Sequence, residues 1–180
     1  MALILRTSIA VVAFALCGLV FAAADDANAG KFITEKVVIS GLVEHQLNLT
    51  VSDLRSFPSE QIVEVPFVRQ SGSSSGKPEK LKGVLLSSIL GKAAIISRHH
   101  NDIKKMAVVA TASDGYAVVF SWSEVYNSAA GEGIIVFFER NGLPLADDEG
   151  RIAMMSTKDI RTGPRHVRWL QTIEIKKIAE

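Results

Sequence analysis

Four basic side chains and a tryptophan follow one another closely in the segment RTGPRHVRWL, residues 161–170. The basic residues are Arg161, Arg165, His166 and Arg168. Guanidinium groups grip phosphate or carboxylate oxygens through paired N–H donors, and a glycine such as Gly163 lets backbone N–H groups approach the same anion. The residue types and their spacing around a Gly-Pro turn therefore predict an anion-binding site.

A surface ion-pair network is the alternative interpretation of the same segment. The acidic residues that could neutralise the arginines are Asp147, Asp148, Glu149 and Asp159. Residues three apart face opposite sides of a straight strand, so Arg165 and Arg168 meet in one cleft only if the backbone curls at the Gly-Pro turn. Both interpretations remain open from the sequence, and Trp169 is assigned to the core.

The Asp114, Gly115 and Tyr116 triplet is a second candidate, because an Asp-Gly pair between two β-branched runs is typical of a β-hairpin turn. Tyr116 could line a pocket from such a turn, although the turn alone also explains these residues. His99 and His100 do not predict a metal site, because adjacent side chains in extended backbone point apart and no third ligand is near. We predict no catalytic residue and no metal ligand.

The N-terminal segment has the composition of an export signal. Arg6 precedes an apolar run over residues 9–24, and two Ala-x-Ala motifs close the segment. A membrane-spanning helix needs about 20 apolar residues, and this run is shorter and is followed by aspartates. We therefore predict a signal peptide over residues 1–24, with an alternative end at residue 29. The protein is then periplasmic or secreted and has no membrane attachment after cleavage.

The composition of the whole chain is that of a globular protein. Its 180 residues are 48% hydrophobic and 22% charged, with a formal net charge of +1. A basic nucleic-acid-binding protein is therefore not indicated. The single cysteine, Cys17, lies inside the predicted signal peptide, so the mature chain has neither disulfides nor thiolate metal ligands. The length predicts one domain, over residues 31–180.

Short β-branched runs alternate with a few helical segments along this domain. Strands are predicted over residues 36–40, 46–51, 61–68, 106–112, 116–120, 133–139, 151–155 and 172–178. Pro66 cannot donate to a strand ladder, which predicts an edge strand or a bulge. Apolar spacing predicts a helix over 81–90, Ser52 and Asp53 predict a helix start, and SGSSSG at 71–76 predicts a mobile loop. The fold class is therefore α+β, with mixed β-sheets and short interspersed helices.

Five fragments, taken in order, resemble the sulfite-oxidase-type molybdopterin-binding domain. They are SGLVEHQLNLTVSDLRSFP, LKGVLLSSILGKA, ATASDGYAVVFSWSEV, NGLPLADDEGRIAMM and GPRHVRWLQTIEI. The resemblance runs from about residue 37 to residue 178 and implies a small, exported, single-domain member of that fold. The late loop that holds the phosphate end of a pterin in this family would carry Gly163, Arg165, Arg168 and Trp169. The turn at 114–116 would lie near the cofactor cleft.

The chain departs from the resemblance at the metal. Catalytic members of this family ligate molybdenum through a cysteine thiolate, and the corresponding segment here, residues 65–70, reads VPFVRQ. Because no thiolate stands there, molybdenum is not expected. Molybdopterin is a cofactor that only the resemblance implies.

Three hypotheses follow for the function. The first is a periplasmic binding module of this fold, without molybdenum redox catalysis, that holds a small anionic ligand, a pterin or a partner protein in a cleft at residues 161–168. The second is a molybdopterin-dependent oxidoreductase with a non-thiolate metal ligand, and the third is a structural or interaction subunit with an empty cleft. We favour the first, with no enzymatic role and no nucleic-acid partner. The predicted binding residues are Asp114, Tyr116, Arg161, Gly163, Arg165, His166 and Arg168.

Overall fold

The computed structural model describes residues 30–71 and 74–179, and the predicted signal peptide lies outside these ranges. The described strands are β1 (Lys36–Gly41), β2 (Leu47–Thr50), β3 (Ile62–Ser71), β4 (Ser74–Leu85), β5 (Met106–Ala112), β6 (Ala117–Ser121), β7 (Ile134–Arg140), β8 (Leu143–Pro144), β9 (Ala153–Ser156) and β10 (Leu170–Lys177). The described α-helices are α1 (Val51–Arg55), α2 (Leu86–Ala93) and α3 (Trp122–Tyr126). Within these ranges no helix is both long enough and apolar enough to span a membrane.

The strands form two sheets. The first has the order β2-β1-β10-β5-β6, in which β1 and β10 run parallel and the other neighbours run antiparallel. In the second, β3, β4 and β7 lie side by side, and both β8 and β9 pair with the remaining edge of β7. The α+β fold with mixed sheets and short helices is therefore confirmed. The edge position predicted from Pro66 is also confirmed, because β3 is an edge strand.

Strand β7 is buried on both of its faces. Ile134, Val136 and Phe138 belong to the main core between the two sheets. Ile135 and Phe137 belong to a smaller apolar cluster on the outer face of the second sheet. Alternate residues of a strand point to opposite faces, so a strand that is buried on both faces is apolar throughout, as the 133–139 run predicts.

A β-bulge between β4 and β7 changes the direction of the side chains at the end of β7. The register shifts between Lys82 and Gly83, so that Gly83 pairs with Phe137 and Lys82 pairs with Glu139. A bulge adds one residue to one strand and interrupts the alternation of its side chains. Arg140 consequently lies over the ring of Phe137, whereas Glu139 projects to the opposite face and meets helix α1.

The predicted helix over residues 81–90 is wrong in its first half. Strand β4 continues to Leu85, and the helix begins at Leu86. Leu81 is buried in the outer cluster and Val84 in the main core, so β4 is also buried on both faces. This double burial gives β4 an apolar spacing that resembles one face of a helix.

Two local predictions also need correction. The 71–76 segment is not simply a loop, because Ser71 pairs with Ser74 at the end of the β3–β4 hairpin, while residues 72 and 73 lie outside the described ranges. The cap of α1 is Thr50 rather than Ser52. The Thr50 hydroxyl accepts a hydrogen bond from the Asp53 N–H at 3.2 Å, and the Asp53 carboxylate accepts one from the Thr50 N–H at 2.9 Å. This reciprocal pair is a capping box.

Gly83→Ala should destabilise the protein strongly, whereas Gly91→Ala should stabilise it slightly. A Cβ at Gly83 would collide with the Val136 carbonyl oxygen and with Phe137 Cα, which are backbone atoms of β7. We expect a loss of about 3 kcal/mol or more. Gly91 lies in α2 with open space where a Cβ would go, so alanine there should add roughly 0.5–1 kcal/mol. Urea denaturation measures both changes, and equal stability of the two variants would contradict this packing.

Candidate functional site

The β5–β6 hairpin turn supplies two side chains to the site. Gly115 adopts a left-handed φ of 92°, and Asp114 Oδ1 accepts a hydrogen bond from the Tyr116 N–H at 2.8 Å. The Tyr116 hydroxyl donates to the carbonyl oxygen of Pro164 at 2.7 Å. This bond ties the hairpin turn to the segment that carries the basic residues.

A 3₁₀ turn over Gly163–Arg165 curls the backbone at the Gly-Pro pair. The His166 N–H closes the turn by donating to the Gly163 carbonyl oxygen at 3.1 Å. Val167 then exchanges two backbone hydrogen bonds with Met154 in β9. The turn is therefore anchored to the second sheet on one side and to the β5–β6 hairpin on the other.

A cleft of about 350 Å³ lies beside these two turns. Its lining residues are Asp114, Tyr116, Gly163, His166, Arg168 and Trp169. The structure thus brings five of the seven predicted binding residues together, in what we call the Arg168 cleft. Their role in ligand binding stays a prediction.

Arg168 supplies this cleft with a half-buried guanidinium group. It has no hydrogen-bond or ion-pair partner among the described residues. Its charge acts on Glu149 through space, but its N–H donors make no hydrogen bond with a described residue and are available to an anion in the cleft. Arg161, by contrast, is exposed and lies outside the lining of the cleft.

His166 is held on the wall of the cleft by a buried carboxylate. Its Nε2 makes a short hydrogen bond with Glu149, and both side chains are more than nine-tenths buried. Glu149 also pairs with Arg140 at 3.0 Å. Burial alone would raise the pKa of Glu149, but the hydrogen bond with His166 and the charges of His166, Arg140 and Arg168 hold the pKa below its ordinary value of 4.5. Glu149 is therefore ionised at neutral pH and fixes the imidazole in place.

Arg165 and Arg168 do not converge on one cleft, as a clamp formed by both would require. Arg165 Nε donates to Asp159 at 2.6 Å and its Nη1 donates to Glu124 at 2.7 Å, while the guanidinium lies over the ring of Phe120. The backbone does curl, but two fixed carboxylates hold this guanidinium away from the cleft through charge-assisted bonds. Arg165 therefore belongs to an ion-pair network, and of the two arginines Arg168 is the one that lines the cleft.

Trp169 lines the cleft, although the sequence assigns it to the core. It is half-buried and has a left-handed φ of 47°, and its Nε1 donates to the Asp147 carbonyl oxygen at 2.8 Å. The ring of Phe32 lies 5.5 Å from its ring, centroid to centroid. Gly150 packs so closely that a Cβ there would lie 2.8 Å from Trp169 Cδ1. The position of Trp169 directly after the basic cluster was the signal that could have placed it in the cleft.

The described residues include no group of His, Cys, Asp and Glu side chains that could hold a metal ion. His99 and His100 are exposed. The segment at 65–70, where the resemblance places a thiolate, lies in β3 and runs beside the 3₁₀ turn at the Arg168 cleft. Val65 and Phe67 from this segment pack into the outer apolar cluster instead.

A comparison with protein families identifies the class that this fold defines. Residues 31–179 match the model of the oxidoreductase molybdopterin binding domain. The chain belongs to this family, and the resemblance to the sulfite-oxidase-type molybdopterin-binding domain is confirmed.

Solved structures show the same fold. The sulfane dehydrogenase SoxCD from Paracoccus pantotrophus is similar to this chain, with a TM-score of 0.59 and 19% sequence identity. The similarity covers 79% of this chain and 38% of the dehydrogenase chain, so it spans about two fifths of that longer protein. A search of curated proteins found no match.

Arg165→Gln should destabilise the protein at neutral pH and should make its free energy of unfolding less dependent on pH in acid. Burial raises the pKa of Asp159, yet the hydrogen bonds from Arg165 and Ser156 hold that pKa below its ordinary value of 3.8. A depressed carboxyl pKa stabilises the folded state above the unfolded-state pKa, and this stabilisation disappears as the pH falls through the folded-state pKa. The wild type should therefore lose stability below about pH 4, and the variant should lose less.

At neutral pH we expect Arg165→Gln to cost about 2 kcal/mol or more, because the charge-assisted hydrogen bonds to two carboxylates are removed. Urea denaturation at a series of pH values measures both effects. Arg98→Gln is the matched control, since Arg98 is exposed and has no partner among the described residues. Parallel curves of stability against pH for Arg165→Gln and the wild type would contradict this role of the ion pair.

Proposed function

We propose that this protein is an exported binding module of the molybdopterin-binding family, which holds a small phosphate-bearing anion in the Arg168 cleft and does not catalyse molybdenum redox chemistry. The observation that carries the proposal is the half-buried Arg168, which lines the cleft and makes no hydrogen bond or salt bridge with a described residue. Export to the periplasm or the medium rests on the signal-peptide pattern of residues 1–24.

The lining of the cleft favours an oxyanion with one charged end. The planar donors of Arg168 match two oxygens of a phosphate or carboxylate. Gly163 has open space where a Cβ would stand, so an anion can approach the backbone there. Asp114 lies on the same lining and would repel a second negative group. The best ligand therefore presents one anionic group to Arg168 and places neutral atoms near Asp114.

The residues of the cleft fit one end of a molybdopterin and lack the other. Arg168 and Gly163 would hold its phosphate end. The metal end needs a strongly donating ligand, which in catalytic relatives would come from the position of segment 65–70. That segment has no cysteine, and Cys17 is the single cysteine of the chain. The residues present therefore do not fit a molybdenum-ligating site, and we derive no redox step.

Arg168→Gln should weaken the binding of inorganic phosphate to the protein by roughly ten- to a hundredfold, because a charge-assisted bond is lost. Isothermal titration of the mature protein with phosphate measures this affinity. Arg161→Gln removes the same charge from an exposed residue outside the cleft and is the matched control. A wild-type protein that does not bind phosphate, or an equal loss in both variants, would refute a specific Arg168 site.

Protein purified from the periplasm of its own host should contain far less than one molybdenum atom per chain and should not oxidise sulfite. The reason is the missing thiolate in segment 65–70. Elemental analysis and a sulfite oxidation assay test this, with a cysteine-containing catalytic relative purified in parallel as the control. Near-stoichiometric molybdenum in this protein would support the oxidoreductase hypothesis instead.

A further inference from the structure

A second cavity, of about 370 Å³, lies between helix α1 and the end of the β7–β8 hairpin. Its walls include Val51, Ser52, Arg55, Phe138, Leu145 and Arg151, together with one acid, Glu35. None of these residues lines the Arg168 cleft. We call this second space the α1 cavity.

The floor of the α1 cavity is apolar. Phe138 and Leu145 are only 1% and 5% exposed, and Val51 adds a branched side chain from the first turn of α1. A bare oxyanion gains nothing from such a surface, because the hydration that it loses there is not replaced. A ring or a short hydrocarbon chain, in contrast, gains from the removal of apolar surface from water.

Two arginines stand beside this apolar floor. Arg55 pairs through Nη2 with Glu139 at 2.5 Å, and its guanidinium lies 5.1 Å from the centroid of the Phe138 ring. Arg151 pairs through Nη1 with Asp147 at 3.1 Å, and its Nε lies 3.9 Å from Glu35, an exposed carboxylate that the carboxylate of a ligand would have to displace. A guanidinium group carries five N–H donors, so each arginine keeps donors that these pairs do not use. The Ser52 hydroxyl also makes no hydrogen bond with any described residue.

We propose that the α1 cavity binds a small amphipathic carboxylate. Its ring or hydrocarbon chain packs against Phe138 and Leu145, and its carboxylate accepts hydrogen bonds from Arg55 and Arg151. The volume of the cavity suits a molecule of about a dozen non-hydrogen atoms. Binding of this ligand does not depend on what the Arg168 cleft holds, because the two linings share no residue.

Titration with phenylbutyrate, followed by amide NMR of the mature protein, tests the proposal. We expect saturable shifts in helix α1 and at Phe138, Leu145 and Arg151, which line the α1 cavity. Phenylbutanol has the same apolar part without the charge, and it should bind at least about tenfold more weakly because it lacks the charge-assisted bonds. No saturable shift, shifts centred on residues 114–116 and 163–169, or equal affinity for the alcohol would each overturn the proposal.

Two variants test the location of the site, one by removing a positive charge from the cavity and the other by adding a negative charge to it. Arg151→Gln should weaken phenylbutyrate binding about tenfold, which is the effect of losing one charge-assisted interaction. Val51→Asp places a negative charge on the wall, at a first-turn position where a helix tolerates acids well, and should abolish binding while the amide spectrum stays folded. Arg98→Gln is the control for loss of an arginine and should bind like the wild type. Wild-type affinity in either cavity variant would overturn the proposal.

Discussion

The double burial of β7 is the constraint on which both cavities depend. Its alternate side chains fill the core between the sheets and the outer cluster, so the strand cannot rotate or slip without exposing one apolar face. The bulge opposite Gly83 then sends Glu139 and Arg140 to opposite faces. Glu139 pairs with Arg55 at the α1 cavity, and Arg140 pairs with Glu149 behind the Arg168 cleft. Two neighbouring residues of one strand thus organise the charges of two separate spaces.

The distribution of acidic partners decides what each arginine is free to do. Arg165 donates its hydrogen bonds to Asp159 and Glu124, and the bond to Glu124 links the 3₁₀ turn to helix α3. Arg168 lies three residues later and lines the cleft, where no carboxylate of a described residue accepts a hydrogen bond from it. The two arginine side chains are chemically identical. The difference in their partners therefore comes from where the fold places Asp159 and Glu124.

The sequence predicts those features that depend on local patterns. The apolar run of β7, the Asp-Gly hairpin at residue 114 and the curl at the Gly-Pro pair all follow from neighbouring residues. The end of β4 cannot be predicted in this way. Leu81 and Val84 are buried on opposite faces of the strand, and their spacing in the sequence resembles that of one face of a helix. The partners of Arg165 are also beyond sequence reasoning, since Glu124 is 41 residues away along the chain. The structure therefore brings most of the predicted residues to one cleft and places Arg161 and Arg165 outside it, and an anion site there stays a prediction.

Trp169 forms a preorganised wall of the Arg168 cleft, because contacts within the protein fix its conformation. A left-handed backbone costs a bulky residue on the order of 1–2 kcal/mol, so the neighbours must hold it there. The indole bond to Asp147, the ring of Phe32 and the close approach of Gly150 do so. A ligand that touches this indole loses little side-chain conformational entropy on binding. The close approach also couples two positions sterically, because a larger residue at position 150 is compatible only with a different placement of Trp169.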